Sequence, residues 1–284
     1  MIIFQTTIVS ESTETQNREK ERGFVMEQKK QVYRRMKHTI YSRGNPLAGT
    51  YALFATEPPN NILSNLDLLQ SDPFLRNIII GKPFPSQVDN IETSGRMPRF
   101  YNLDQSLCWY TLALCMQAND VNRFLEIRSK VDHAFLIGDY EQCLNYLDDC
   151  HSSFGFSLWE IKKRIAVISE MEGDEFQRAY ADKIWKSMQK GGLCAYQVFY
   201  YSRQCESNLS ASAYYNIIKS DYERFLREGV DKMRCNYALF KTGGNVTLSA
   251  ELPKLLNPQN INYFLFEDAQ YGLVDCYISL SNML

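Results

Sequence analysis

Three histidines, His38, His133 and His151, are the chain's only imidazoles, and imidazole is the usual general base. His151 directly follows Cys150, and those two residue types together could support thiolate catalysis. Consecutive helical positions do not face each other, so sulfur and ring point apart, and the pair reads as a surface histidine beside an apolar position. Asp148, Asp149, Glu160 and Lys162 are the residue types that converge on one metal ion in phosphodiester hydrolysis. That chemistry wants Glu-x-Lys on a strand, whereas Glu160-Ile161-Lys162 sits in a stretch of helical period, which reads as a solvated helix face. The eight cysteines include no C-x-x-C pair and the histidines are scattered, so no metal and no cofactor is expected. Gly155-Phe156-Ser157 lacks the second glycine of a nucleophile elbow and precedes a helical stretch. Neither phosphate-loop pattern occurs, and Thr242-Gly243-Gly244-Asn245 follows a helical stretch, where a C-terminal cap and loop account for it. With no catalytic constellation, the expectation is that this is not an enzyme.

Two sets of residues have the types for binding. Between Gln28 and Arg43 stand Lys29, Lys30, Arg34, Arg35, Lys37 and Arg43, with one histidine and no acid. Val32, Met36 and Ile40 recur every four residues through that tract, so it is read as an amphipathic helix with a cationic face. Such a face could follow a phosphate backbone or meet an acidic protein surface, including the acidic middle of this same chain. The second set is the aromatic cluster around Tyr196, Phe199, Tyr200 and Tyr201, closed by Arg203, which could anchor a partner or stack a base. Packing along a helix seam accounts for those tyrosines equally well.

The elements that would carry these residues are helical. Seven of the nine prolines fall between Pro46 and Pro98, which predicts short, irregular elements over 44–100. From Asp104 onward the apolar residues keep a 3.6 period. Leu107 to Val121 and Phe124 to Phe135 predict two helices, followed by Tyr140–Cys150, Leu158–Glu172 and Phe176–Met188. Later ones are expected at 209–228, 230–241 and 259–282. Gly138-Asp139, Gly155, Gly173-Asp174 and Gly191-Gly192 separate the earlier ones, and breaks this short force neighbours to run antiparallel. Met1–Val9 and Ile78–Ile80 are the candidate strands. The fold class expected is all-α, with antiparallel helical hairpins in a repeat-like array or bundle. An N-terminal region, 1–100, would be irregular and proline-containing, and the helical domain would occupy 101–284.

The tract Ala134-Phe-Leu-Ile-Gly138-Asp139-Tyr140-Glu-Gln-Cys143-Leu-Asn-Tyr-Leu147-Asp-Asp-Cys150 resembles the middle of a tetratricopeptide repeat. In that family a Gly-Asp-Tyr turn joins two helices, and a small, a large and a small residue then follow at helical spacing. Cys143, Leu147 and Cys150 occupy those places. The family's tryptophan and glycine are replaced by Ile127 and Val131, and Gly155 stands where a proline closes the unit. The resemblance spans about residues 124–190 and implies stacked helical hairpins that bind a helix or peptide segment of another protein. The tract Gly155-Phe-Ser-Leu-Trp159-Glu-Ile-Lys162 is similar to all-helical regions attached to bacterial conflict and phage-defence effectors, which implies a regulatory or sensor region.

Composition bounds these readings. The 284 residues are 45% hydrophobic and 23% charged with a net charge of -2, which excludes a disordered or low-complexity chain and argues against wholesale nucleic-acid binding. The balance conceals a mildly basic first third, with 13 basic and 10 acidic residues to position 100, and an acidic middle, with 10 and 14 over 101–190. The longest apolar run, near Leu107–Met116, is well short of the roughly 20 residues of a spanning helix, and Met1–Ser10 lacks the charge of a signal peptide. Sparse, unpaired cysteines fit a cytoplasmic setting. The function expected is a non-catalytic helical adaptor for another protein; the alternatives are a sensor region of a larger effector and a nucleic-acid-associated protein using the basic helix.

Overall fold

A computed structural model describes residues 3–42, 44, 48–49, 52–53, 56–73, 76, 84–93, 102–188, 192–242 and 256–283. They form helices and no strand. The chain divides into two compact units, 1–78 and 79–284. Among its described residues the first contains a long helix, α1 (Ile3–Tyr41), and the short helices α2 (Pro59–Ser64) and α3 (Leu66–Ser71). Met36 and Ile40 of α1 are fully buried, as the four-residue spacing requires. Ile3–Val9, a candidate strand from sequence, is instead the start of α1. A lone apolar run has no neighbouring strand here to take its backbone groups, and the helix satisfies them internally. Ile78–Ile80 lies outside the described residues.

Among its described residues the second unit carries a 3-10 helix, Val88–Thr93, and then ten α-helices. These are α4 (Leu103–Met116), α5 (Ala118–Leu136), α6 (Tyr140–Phe154), α7 (Leu158–Glu172), α8 (Asp174–Ser187), α9 (Leu193–Gln204), α10 (Ala211–Arg227), α11 (Lys232–Thr242), α12 (Pro258–Gln270) and α13 (Leu273–Met283). Each of α5 to α9 packs on the next, the antiparallel array that the short breaks demand. α12 and α13 then return to pack against α4, α5, α7 and α11, so these last helices close over the hairpins. The 3-10 helix packs on α8 and α12, and Val88 and Ile91 enter their core. This part of the proline-containing segment therefore belongs to the second unit, which begins at residue 79 and not at 101.

Helix starts follow the local chemistry of the caps. Asn102, Asp139, Ser157, Ser210 and Asn257 each accept a backbone N–H from the first turn of their helix. Three boundaries differ from the sequence expectation. The first long stretch breaks at Gln117, so Ala118–Val121 belongs to α5. The aromatic cluster near 200 is itself a helix, α9. The single helix expected over 259–282 is two, parted at Tyr271-Gly272.

At Gly155 the chain must turn where a side chain would not fit. Its φ of 68° and ψ of -155° favour glycine, and a Cβ there would collide with the carbonyl oxygen of Pro85. That same oxygen accepts the N–H of Phe156 at 2.9 Å. Phe154, Phe124, Trp159 and Tyr277 form an aromatic cluster behind this turn; Phe124 lies edge-on to Trp159 with centroids 5.0 Å apart.

Candidate functional site

The second unit carries an open cavity of about 670 Å³ on the N-terminal half of α7. From α7 come Leu158, Trp159, Lys162, Lys163 and Ala166. From α5 come Arg128 and Phe135, from α9 Tyr201, from α11 Phe240 and Lys241, and from α13 Asp275, Ile278, Ser279 and Asn282. Residues 162 and 163 diverge on the helix, so one lysine turns toward α5 and the other toward α9. Lys163 bonds Asp132 at 2.6 Å and lies over the Phe135 ring, while Arg128 shares the same carboxylate at 3.6 Å. Lys241 is fixed by Asp268 at 2.8 Å.

Lys162 has no carboxylate partner among the described residues; its ammonium stands 4.8 Å from the centre of the Tyr201 ring. The residue keeps solvent access through the cavity, but the atoms packed round its ammonium desolvate it and Lys241 repels it. Both effects lower its pKa below the ordinary lysine value.

Asp275 ties the cavity floor together. Its two carboxylate oxygens accept the N–H groups of Leu158 and Trp159, at 2.9 and 3.0 Å, and Ser157 Oγ accepts that of Glu160 at 3.1 Å. The start of α7 is thus capped in part by a side chain 117 residues downstream, where the helix dipole favours an anion. Complete burial nevertheless raises the Asp275 carboxyl to about 7, against the opposing effects of Lys241 and the two N–H donors. Asp268, fully buried, accepts hydrogen bonds from Tyr237 Oη at 2.6 Å and Ser279 Oγ at 2.5 Å besides pairing with Lys241. Around the cavity Asp132 pairs with Lys163 and Arg128, and Asp268 with Lys241, which leaves Lys162 and the titratable carboxyl of Asp275.

The residues singled out from sequence are distributed as follows. Tyr201 lines the cavity, its hydroxyl donating to Gln197 at 3.3 Å. Tyr200 points elsewhere: it is buried with Tyr214 and Ile218 and donates to Asp221 at 2.8 Å. Arg203 pairs with buried Glu206 at 3.0 Å. Neither tyrosine offers an exposed ring, because adjacent positions on α9 pack against different neighbours. In the first unit, Arg35 bonds Glu57 through two nitrogens and Lys37 bonds Asp72 at 2.8 Å. Burial alone would raise the Glu57 pKa, but its bonds from Arg35 and Asn61 hold it below the usual value. Arg34 stands 3.7 Å from Glu27, and Lys30 is exposed with Lys29 half-buried. Among the described residues, acids that pair with the basic tract are Glu27, Glu57 and Asp72, all within its own unit.

Gly138, Asp139 and Tyr140 form the α5–α6 turn, with Gly138 at φ 77° and Tyr140 packed on Phe135. Cys143, Leu147 and Cys150 are buried on one stripe of α6. Burial pushes the Cys150 thiol up to about 12, and neighbouring His151 turns away onto Phe156, with ring centroids 4.4 Å apart. Glu160 and Asp148 both pair with Arg164, while Lys162 faces Tyr201, so the carboxylates and the lysine do not converge.

Sequence reasoning passed over Lys163, Lys241, Asp268 and Asp275. The two aspartates left a signal: each is an acid set on an apolar stripe, Asp268 after Phe264 and Leu265, and Asp275 between Val274 and Cys276. Among known proteins no family model, curated protein or solved structure matches this chain.

Proposed function

We propose that the 79–284 unit is a non-catalytic receptor that binds a small organic anion in the cavity on α7, the sensor function among those expected from sequence. The observation that carries this reading is Lys162, an unpaired cation held over an aromatic ring in a cavity of ligand size. Its neighbours are neutralised by Asp132 and Asp268, so an incoming carboxylate, sulfate or phosphate group would find one free charge, a second cation close by and apolar walls. Eight free cysteines support a reducing, cytoplasmic setting. No described helix is long and apolar enough to cross a membrane.

The test is thermal unfolding of the whole chain with organic anions, their neutral analogues and organic cations at matched ionic strength. An anion-selective rise in Tm that is lost in Lys162→Ala supports the reading. Equal responses to neutral and anionic compounds, or none to any, would defeat it.

The adaptor reading has its own observation. Leu136 and Ile137, at the α5–α6 turn, are 82% and 63% exposed, and Phe176 and Trp185 of α8 are also uncovered. Apolar side chains displayed at a hairpin tip suit a helix or peptide segment of a second protein. The Gly138-Asp139-Tyr140 turn and the Cys143, Leu147, Cys150 stripe support a tetratricopeptide-like origin for this hairpin. Nucleic-acid binding through Lys29, Lys30, Arg34, Arg35 and Lys37 is the weakest of the three, because Glu57 and Asp72 occupy two of those cations.

A further inference from the structure

The cavity's cations define charge, but its rings define shape. Phe135, Trp159, Tyr201 and Phe240 all line it, more aromatic surface than a bare inorganic or aliphatic anion would need. Phe240 is the one already stacked: it lies nearly parallel to Phe264, at 21° with centroids 5.0 Å apart, so a flat ring laid on it would extend an existing pile. Lys241 follows it in sequence and lines the cavity together with Lys162. A stacking platform therefore shares the cavity with two ammonium groups, Lys241 paired with Asp268 and Lys162 without a carboxylate among the described residues. A phosphate between them could accept a charge-assisted hydrogen bond from each. On α13, Asp275, Ser279 and Asn282 are spaced i, i+4, i+7 and line the cavity; Asp275 is held by two N–H groups of α7, Ser279 gives its proton to Asp268 and can still accept, and Asn282 could meet sugar hydroxyls or a heterocycle edge. Asn282 is the exposed member of that row.

We propose that the cavity takes a nucleoside phosphate, its base stacked on Phe240 and its phosphate held between Lys162 and Lys241. This rests on the anion-receptor reading above and narrows it to a ligand class. Ring and charge bind together because the platform and the ammonium groups are neighbours; either alone occupies half of the site. Stacking on an aromatic side chain tolerates any base, so discrimination among bases falls to Asn282 and Ser279.

The experiment is calorimetric titration of the full chain with AMP, GMP, CMP and UMP. Adenosine, inorganic phosphate and 2-phosphoglycerate, an organic phosphate without a ring, are run at the same ionic strength. A nucleoside monophosphate should bind at least about tenfold more tightly than adenosine and than either ringless phosphate. Lys162→Ala and Phe240→Leu should each weaken it about tenfold, and Lys219→Ala, on α10 outside the cavity, should not. Phe240→Leu keeps an apolar filler, and Lys162→Ala removes only a lysine that no carboxylate holds, so one variant remains informative if the other unfolds. Equal affinity for 2-phosphoglycerate and the nucleotides would overturn the nucleotide assignment and leave the anion receptor standing. Binding of none of these phosphates would overturn the assignment, and failure of all organic anions would remove the receptor reading with it.

Discussion

Asp275 accepts two backbone N–H groups while fully buried, and its carboxyl lies near 7 where an unfolded aspartate lies near 3.8. The folded state therefore holds the proton more tightly. The stabilisation this group contributes is complete below about pH 3.8 and is lost as pH rises through about 7. Asp275→Ala should destabilise by about 2 kcal/mol, since two helix-terminal donors lose their acceptor, and the loss should be larger at pH 5 than at pH 8 by urea denaturation. Proton uptake also removes a negative charge from the cavity. Anion affinity should accordingly fall between pH 6 and pH 8, and in Asp275→Asn that dependence should flatten, which titration at the two pH values would register. Lys162 acts in the same direction at higher pH, because its lowered pKa makes it lose its charge sooner than an ordinary lysine.

Two glycines at helix ends set different tolerances. Gly138 has a positive φ but open space where a Cβ would go, so Gly138→Ala should cost about 1 kcal/mol, the strain of a left-handed alanine. Gly155→Ala adds a collision with the Pro85 carbonyl to its backbone strain and should cost at least ~3 kcal/mol, or prevent folding. A comparison of the two Tm values separates loop strain from close packing. The helices were legible because apolar period and glycine breaks are local: Gly138-Asp139, Gly155 and Gly173-Asp174 bounded the stretches that became α6 and α7. The cavity was not legible. It is built from six helices, and nothing in the order of residues says that Lys241 and Phe240 come to line it with Lys162. A cluster of tyrosines in sequence attracted attention instead, although helix geometry sends Tyr200 and Tyr201 to different surroundings.

The division at residue 78 makes a further expectation at the scale of the molecule. All the cavity's lining residues belong to 79–284, and the ion pairs of the basic helix belong to 1–78. A chain of residues 79–284 should therefore unfold cooperatively and keep its ligand-induced Tm shift, and Lys29→Glu with Lys30→Glu in the full chain should leave that shift unchanged. The carboxylate of Asp275 also has a consequence in time. It joins positions separated by 117 residues, so the first turn of α7 is synthesised long before its acceptor exists. Hydrogen bonds of such high contact order close late, since a long loop must lose its freedom first. Until α13 docks, the N–H groups of Leu158 and Trp159 must be served by water, and the wall of the cavity stays unfinished. The hairpins can assemble as the chain emerges, but the binding site can exist only after its last helix has been made.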